Sequence, residues 1–162
     1  MGVKGKTMIF NDLREFIAEA EKRKDVKVVE GADWNLEIGL ITEWQISELD
    51  NPLLLFKNIK DYPSDYSIAT NLFGTMARTA LALGMDPAMK KLDIVRKLRD
   101  IFGEGFAPIA PVVVENAPVK ENILTGNEID LFKFPVPKWH AGDGGRYIGT
   151  GNAVITRDPD EG

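Results

Sequence analysis

The chain has 162 residues, 20 Lys and Arg against 25 Asp and Glu, a formal net charge of −5, and no cysteine. That length allows one domain or two small ones with a core large enough to fold without staples, and the 44% hydrophobic and 28% charged composition is globular rather than disordered. Disulfide frameworks, thiolate metal sites and Cys nucleophiles are excluded, a His-rich zinc site cannot be built from His140 alone, and the acidic balance argues against nucleic acid.

No apolar run approaches a membrane span, and the start lacks a signal-peptide core, so a cytoplasmic protein with no membrane partner is expected. Residues 1–8 are polar and Gly-rich and read as an extension. The first helix is capped by Asn11 or Asp12, with Glu15 at capping-box spacing and Leu13, Phe16, Ile17 and Ala20 on one stripe. Val26–Glu30 reads as a strand ended by Gly31. Asp33 or Asn35 caps a second helix with Leu36, Leu40, Ile41 and Trp44 along one side. Leu53–Phe56 is a continuous apolar run suited to a strand buried on both faces.

A turn at 61–65 leads to a strand at Tyr66–Thr70. Thr75–Leu83 is helical, with Gly84 as its stop. Asp86-Pro87 starts a further helix whose buried stripe is Met89, Leu92, Val95, Leu98 and Phe102, ended by Gly103. The expected core is Leu13, Phe16, Ile17, Leu54, Phe56, Leu92, Val95 and Leu98. Alternating helices and strands to about residue 105 indicate an α/β unit.

After Gly103 the helical period disappears. Phe106–Pro118 reads as an extended connector, Val119–Ile123 as a strand, and Gly126-Asn127 as a turn, while Pro135 and Pro137 keep their stretch extended. Tyr147–Thr156 is the best strand in this half, followed by a turn at 158–162. The division is 9–116, an α/β domain, and 117–162, the first strands of an incomplete antiparallel β domain.

The one dense polar constellation is Trp139-His140-Ala141-Gly142-Asp143-Gly144-Gly145-Arg146-Tyr147. Its glycines allow close backbone approach, and exposed N–H groups with Arg146 could hold an anion. The plainer reading, favoured by composition, is an entry loop with Trp139 packed as a lid. No dinucleotide or P-loop spacing is present. Lys90, Lys91, Arg96, Lys97 and Arg99 read as a solvated helix face. Asp158, Asp160 and Glu161 read as a surface turn, and Asn71 to Thr75 as a binding turn or a helix cap.

Several stretches together resemble the amino-terminal part of the UbiD family of decarboxylases. They are Asp12-Leu-Arg-Glu-Phe16, Leu36-Glu-Ile-Gly39, Leu54 to Lys60 with Tyr62-Pro63, Asn71-Leu-Phe-Gly74, and Ala80-Leu-Ala-Leu-Gly84. Pro118 to Asn122, Trp139-His140 with Gly142 to Tyr147, and Thr150-Gly151 with Ile155 to Asp160 complete the series. The resemblance implies an α/β domain, a split β-barrel that binds cofactor, and a carboxy-terminal domain. It implies reversible decarboxylation of an aromatic or α,β-unsaturated acid with prenylated FMN, a divalent metal (Mn or Mg) and potassium. In the family the metal ligands and the catalytic network lie beyond the turn at 158–162, so no catalytic and no metal residue is expected within this chain.

The chain is therefore expected to be a fragment or one part of a split enzyme. By itself it is expected to be inactive and to bind none of these cofactors. Its partners would be the remainder of the polypeptide or a partner subunit and a small carboxylic acid, with a homo-oligomer when full length. A non-catalytic ligand-binding or accessory subunit is the alternative. Strand parity puts Ile148, Thr150, Asn152 and Val154 on one face and Tyr147, Gly149, Gly151 and Ala153 on the other, and either face could meet a ligand. The resemblance selects Thr150 as the cofactor-binding residue. Gly149 departs from family members that carry a larger residue there.

Overall fold

A computed structural model describes residues 10–105, 109–149 and 151–160. Helix α1, Leu13–Lys22, starts at Asp12, whose carboxylate accepts from the Glu15 N–H. The Glu15 carboxylate reaches back to the Asn11 N–H and side chain, so the two acids satisfy the first turn reciprocally. Strand β1, Val26–Glu30, helix α2, Glu37–Ser47, and strand β2, Leu53–Lys57, form a βαβ unit, with β1 and β2 parallel and Val26 opposite Leu53. Strand β3, Ser67–Thr70, returns antiparallel on β2, giving the order β1-β2-β3.

The central position of β2 explains its unbroken apolar run. Leu53 and Leu55 face α1 through Phe16 and Ala20, with Leu81 of helix α3, Met76–Ala82. Leu54 and Phe56 face the other way, onto Ile38 of α2 and onto Ala32 and Ile59. Helix α4, Lys91–Glu104, adds a third small cluster through Ile94 against Ala80 and Met85.

A buried polar knot ties the elements together. Arg78 on α3 has a side chain only 2% exposed. Its guanidinium donates to Asp25 at 2.5 Å, to the Asn51 carbonyl at 2.6 Å, and to the carbonyls of Asn71 and Leu72. Asn71, at φ +56°, donates its amide to the Pro52 carbonyl and to Asn51. A Cβ on Gly74 would overlap the Asn71 side chain. The Asn71 to Thr75 segment is therefore a folding node that ends in the α3 cap, Thr75.

Several expectations are corrected. The buried side of α2 is Ile38, Gly39, Thr42 and Gln45, while Leu40 and Trp44 are exposed. Asp86-Pro87 makes a turn, with Asp86 accepting from the Ala88 N–H, and α4 begins only at Lys91 and ends on Gly105. Leu13, Leu92 and Val95 are exposed. On α4 the inward residues are Ile94 and Leu98, because Met85 and Met89 meet that side of the helix. Val119–Ile123 is not a strand: Pro118–Lys120 is a 3-10 turn, as are Gly126–Glu128 and Leu131–Lys133.

Among the described residues from 117 on, the only β pairing is an isolated parallel bridge, Asn35 to Lys138. Tyr147–Thr156 carries no ladder there, since a β-former becomes a strand only when a neighbour supplies hydrogen bonds. Among the described residues the chain is thus a mixed α/β fold with a three-stranded sheet. Among the described residues no helix is long and apolar enough to cross a membrane.

Candidate functional site

The loop from Trp139 to Tyr147 is docked on the amino-terminal end of α2. The Leu36 N–H donates to the Lys138 carbonyl at 2.9 Å, and the Lys138 N–H donates to the Trp34 carbonyl at 3.0 Å. Leu36, at φ +74°, turns the chain into α2. Gly39 then lets the helix lie directly against the Trp139 backbone. Trp139 packs on the Ile38, Leu54 and Phe56 cluster, which is the lid reading of the sequence, and its buried indole Nε1 has no hydrogen-bond partner among the described residues.

His140 is held between two carboxylates. Its Nε2 lies 2.9 Å from Glu43 Oε1 on α2, and its backbone N–H donates to Asp143 Oδ2 at 2.9 Å. The Asp143 N–H donates back to the His140 carbonyl at 3.1 Å. The Asp143 carboxylate is thus held by the loop's own backbone. Among the described residues no group of three His, Cys, Asp or Glu gathers to hold a metal.

Arg146 is committed as well. Its Nε donates to the Val136 carbonyl at 2.7 Å, and one terminal nitrogen donates to the Phe134 carbonyl at 3.1 Å and to the Tyr62 hydroxyl. The guanidinium stacks 4.1 Å from the Trp34 ring centroid and also faces Tyr62 and Phe132. The anion-holding role considered for Arg146 is not the one that the structure gives it.

Beside the loop runs an open groove of about 340 Å³ between β3 and the Phe134–Pro137 stretch, lined also by Trp139 and Tyr147. It is lined by apolar, aromatic and hydroxyl side chains and carries no charge. Thr150, the residue selected for cofactor binding, lies outside the described residues. Next to it, a Cβ on Gly149 would meet the Asn152 side chain, so a larger residue there requires Asn152 to move.

The family model for the 3-octaprenyl-4-hydroxybenzoate carboxy-lyase N-terminal domain matches residues 17–100, and the model for the Rift-related domain of the same carboxy-lyase matches residues 111–162. The chain belongs to the UbiD family. Pyrrole-2-carboxylic acid decarboxylase of Pseudomonas aeruginosa is 37% identical over 157 residues, 92% of this chain and 31% of that protein. Ferulic acid decarboxylase 1 of Saccharomyces cerevisiae is 31% identical over 159 residues, 93% of this chain and 31% of that protein. An evolved dimeric form of the UbiD-class enzyme HmfF from Pelotomaculum thermopropionicum, solved in complex with prFMN, superposes with a TM-score of 0.71 at 34% identity. That match covers 93% of this chain and 33% of the enzyme chain. The closed form of vanillic acid decarboxylase from Sedimentibacter hydroxybenzoicus gives 0.74 at 28% identity, over 86% of this chain and 29% of that one. The chain thus spans about a third of the length of the relatives it matches.

The groove beside the loop does not by itself fit a flavin mononucleotide. It has no basic side chain to face a phosphate, and Arg146 is already bonded to carbonyls and stacked. What the described residues supply is a rigid frame. Sequence reading missed most of that frame. Gly39 and Tyr62 carried a signal only as parts of matching motifs, and Trp34 and Arg78 carried none.

Proposed function

We propose that this chain is the amino-terminal third of a decarboxylase that acts on an aromatic or α,β-unsaturated carboxylic acid with prenylated FMN. The observation that carries this reading is the match of both family domains, in order, along one chain whose relatives are decarboxylases. The HmfF complex supports prenylated FMN as the cofactor. In that group the modified flavin is the electron sink for the departing carbon dioxide. A divalent metal, Mn or Mg, and potassium belong to the same reading, with their ligands outside these 162 residues.

Residues 9–116 then form the α/β domain, with 1–8 as an extension, and 117–162 begin the cofactor-binding β domain. Ladder partners for Tyr147–Thr156 come from the rest of the barrel, and Thr150 stands against the cofactor. Gly149 and Gly151 flank it with small residues that permit close approach. No chemical step is assigned to a residue of this chain. The assembly is a homo-oligomer or a complex with a partner subunit, and the vanillic acid decarboxylase and HmfF matches favour assemblies of this kind.

The test is Thr150→Val in the full-length decarboxylase of which the chain is proposed to be part. This change keeps the shape and removes the hydroxyl. Lower flavin occupancy or a lower decarboxylation rate at unchanged stability supports the site. Unchanged occupancy and rate would leave the segment as scaffold.

A further inference from the structure

We propose that Arg146 is a positioning residue that pins the segment after it to the α/β layer and so sets where Thr150 stands. The link to Thr150 rests on the reading of residues 117–162 given above, while the pin itself rests on the geometry alone.

Position 146 is four residues before Thr150, a reach of at most about 14 Å of extended chain. Whatever fixes Arg146 therefore limits where the next residues can go. The loop before it is not fixed by packing: a Cβ added at Gly142, Gly144 or Gly145 would meet nothing within 4 Å. The loop is anchored towards its two ends: at one, Trp139 docks on Gly39 and His140 Nε2 lies 2.9 Å from Glu43 Oε1, and at the other stand Arg146 and the Tyr147 N–H, which donates to the Pro137 carbonyl at 3.4 Å.

The partners of Arg146 come from three distant parts of the chain. Trp34 precedes α2, Tyr62 follows β2, and Phe134 and Val136 belong to the stretch beside β3. Trp34 and Tyr62 both pack on the Leu54 and Phe56 cluster, so the floor under the guanidinium belongs to the buried core. The two carbonyls flank Pro135 and precede Pro137. Neither proline has an N–H, so this stretch cannot be held to the edge of β3 by a regular ladder. Arg146 supplies side-chain hydrogen bonds to this stretch, beside the one backbone bond from the Tyr147 N–H to the Pro137 carbonyl.

Only arginine suits the position. A planar fork can donate to two carbonyls and a hydroxyl in its own plane while its face lies on an indole. A lysine keeps the charge but offers a single point donor.

The experiment compares Arg146→Lys and Arg146→Gln with the parent sequence. Amide hydrogen exchange is followed in the 162-residue chain, and flavin occupancy is followed by absorbance in the full-length decarboxylase. Both variants should exchange roughly tenfold faster, or more, at 132–138 and at Tyr147, whose N–H donates to the Pro137 carbonyl, with β1, β2 and β3 unchanged, as expected of local opening. Lysine should not rescue, and flavin occupancy should fall in both. Unchanged exchange, rescue by lysine, or acceleration spread evenly through the sheet would each overturn the proposal. A parent protein that binds no flavin would refute the proposed function instead, and the exchange result would still decide the pin.

Discussion

Gly39 of α2 lies against the backbone of Trp139, so closely that a Cβ at position 39 would overlap the Trp139 carbonyl. This contact joins the α/β layer to the loop. Two effects oppose each other in Gly39→Ala. Helix propensity favours alanine by about 1 kcal/mol. Overlap with backbone, which cannot rotate away, costs about 1–3 kcal/mol and adds the loss of loop docking. The variant should be less stable in urea unfolding, with faster exchange at 138–147. An equal or higher midpoint would show that the loop gives way freely.

Arg78 is the most deeply buried charge among the described residues, and its donors serve Asp25 and three carbonyls. Arg78→Met should destabilise by about 3–5 kcal/mol, because the partners left behind are uncompensated. Arg96, exposed and paired with Asp93 along one helix face, is the control. Arg96→Ala should change stability by no more than about 0.5 kcal/mol. Comparable losses for the two would contradict the knot.

On α4 the choice between two stripes is testable by size. Ile94 is 3% exposed and Leu92 is 65% exposed. Ile94→Ala should cost about 2–4 kcal/mol in chemical denaturation, and Leu92→Ala about 0.5 kcal/mol or less. The reverse order would restore the stripe that the sequence suggested.

Asp33 offers a pH test. The Lys60 ammonium at 2.6 Å, and then the Asn35 N–H at 2.8 Å, hold its carboxyl below the usual carboxylate range. Asp33 in turn raises Lys60. A lowered acid contributes stability that is present above its unfolded pKa and is lost as pH falls through the folded one. A raised lysine contributes stability that is lost as pH rises through its folded pKa. Asp33→Asn keeps an acceptor for Asn35 and removes the charge. The melting-temperature gap between parent and variant should be widest near neutral pH and should close as pH drops through and below the carboxylate range. It should also narrow with added salt, since the pair is partly exposed. A gap independent of pH would mean that the pair contributes nothing.

The parts legible in the sequence are those whose causes are local. The Asp12 and Glu15 caps and the apolar run of β2 act within a few residues, and both form as read. The inward face of α2 was not legible, because its buried polar groups are satisfied from far away. Thr42 bonds Thr70 at 3.0 Å, and Gln45 bonds Lys27 and the Asp50 carbonyl. Leu40 and Trp44 looked like the core only because a pattern counts apolarity and cannot see a partner 28 residues on. Val119–Ile123 fails for a related reason: its β propensity is real, but the chain there turns as a 3-10 helix, while Tyr147–Thr156 meets no ladder among the described residues. Arg146 looked like a ligand residue because its carbonyl and indole partners are not visible in spacing.

The central claim is that these residues frame, but do not perform, a prenylated-FMN-dependent decarboxylation. Carbon dioxide release is the direct measurement, with prenylated FMN, a divalent metal and potassium supplied, across a panel of aromatic and acrylic acids. The 162-residue chain and the full-length decarboxylase are assayed side by side. The account predicts turnover by the full-length protein and none by the chain alone. Turnover by the purified chain, or none by the full-length protein on any member of the panel, would contradict it.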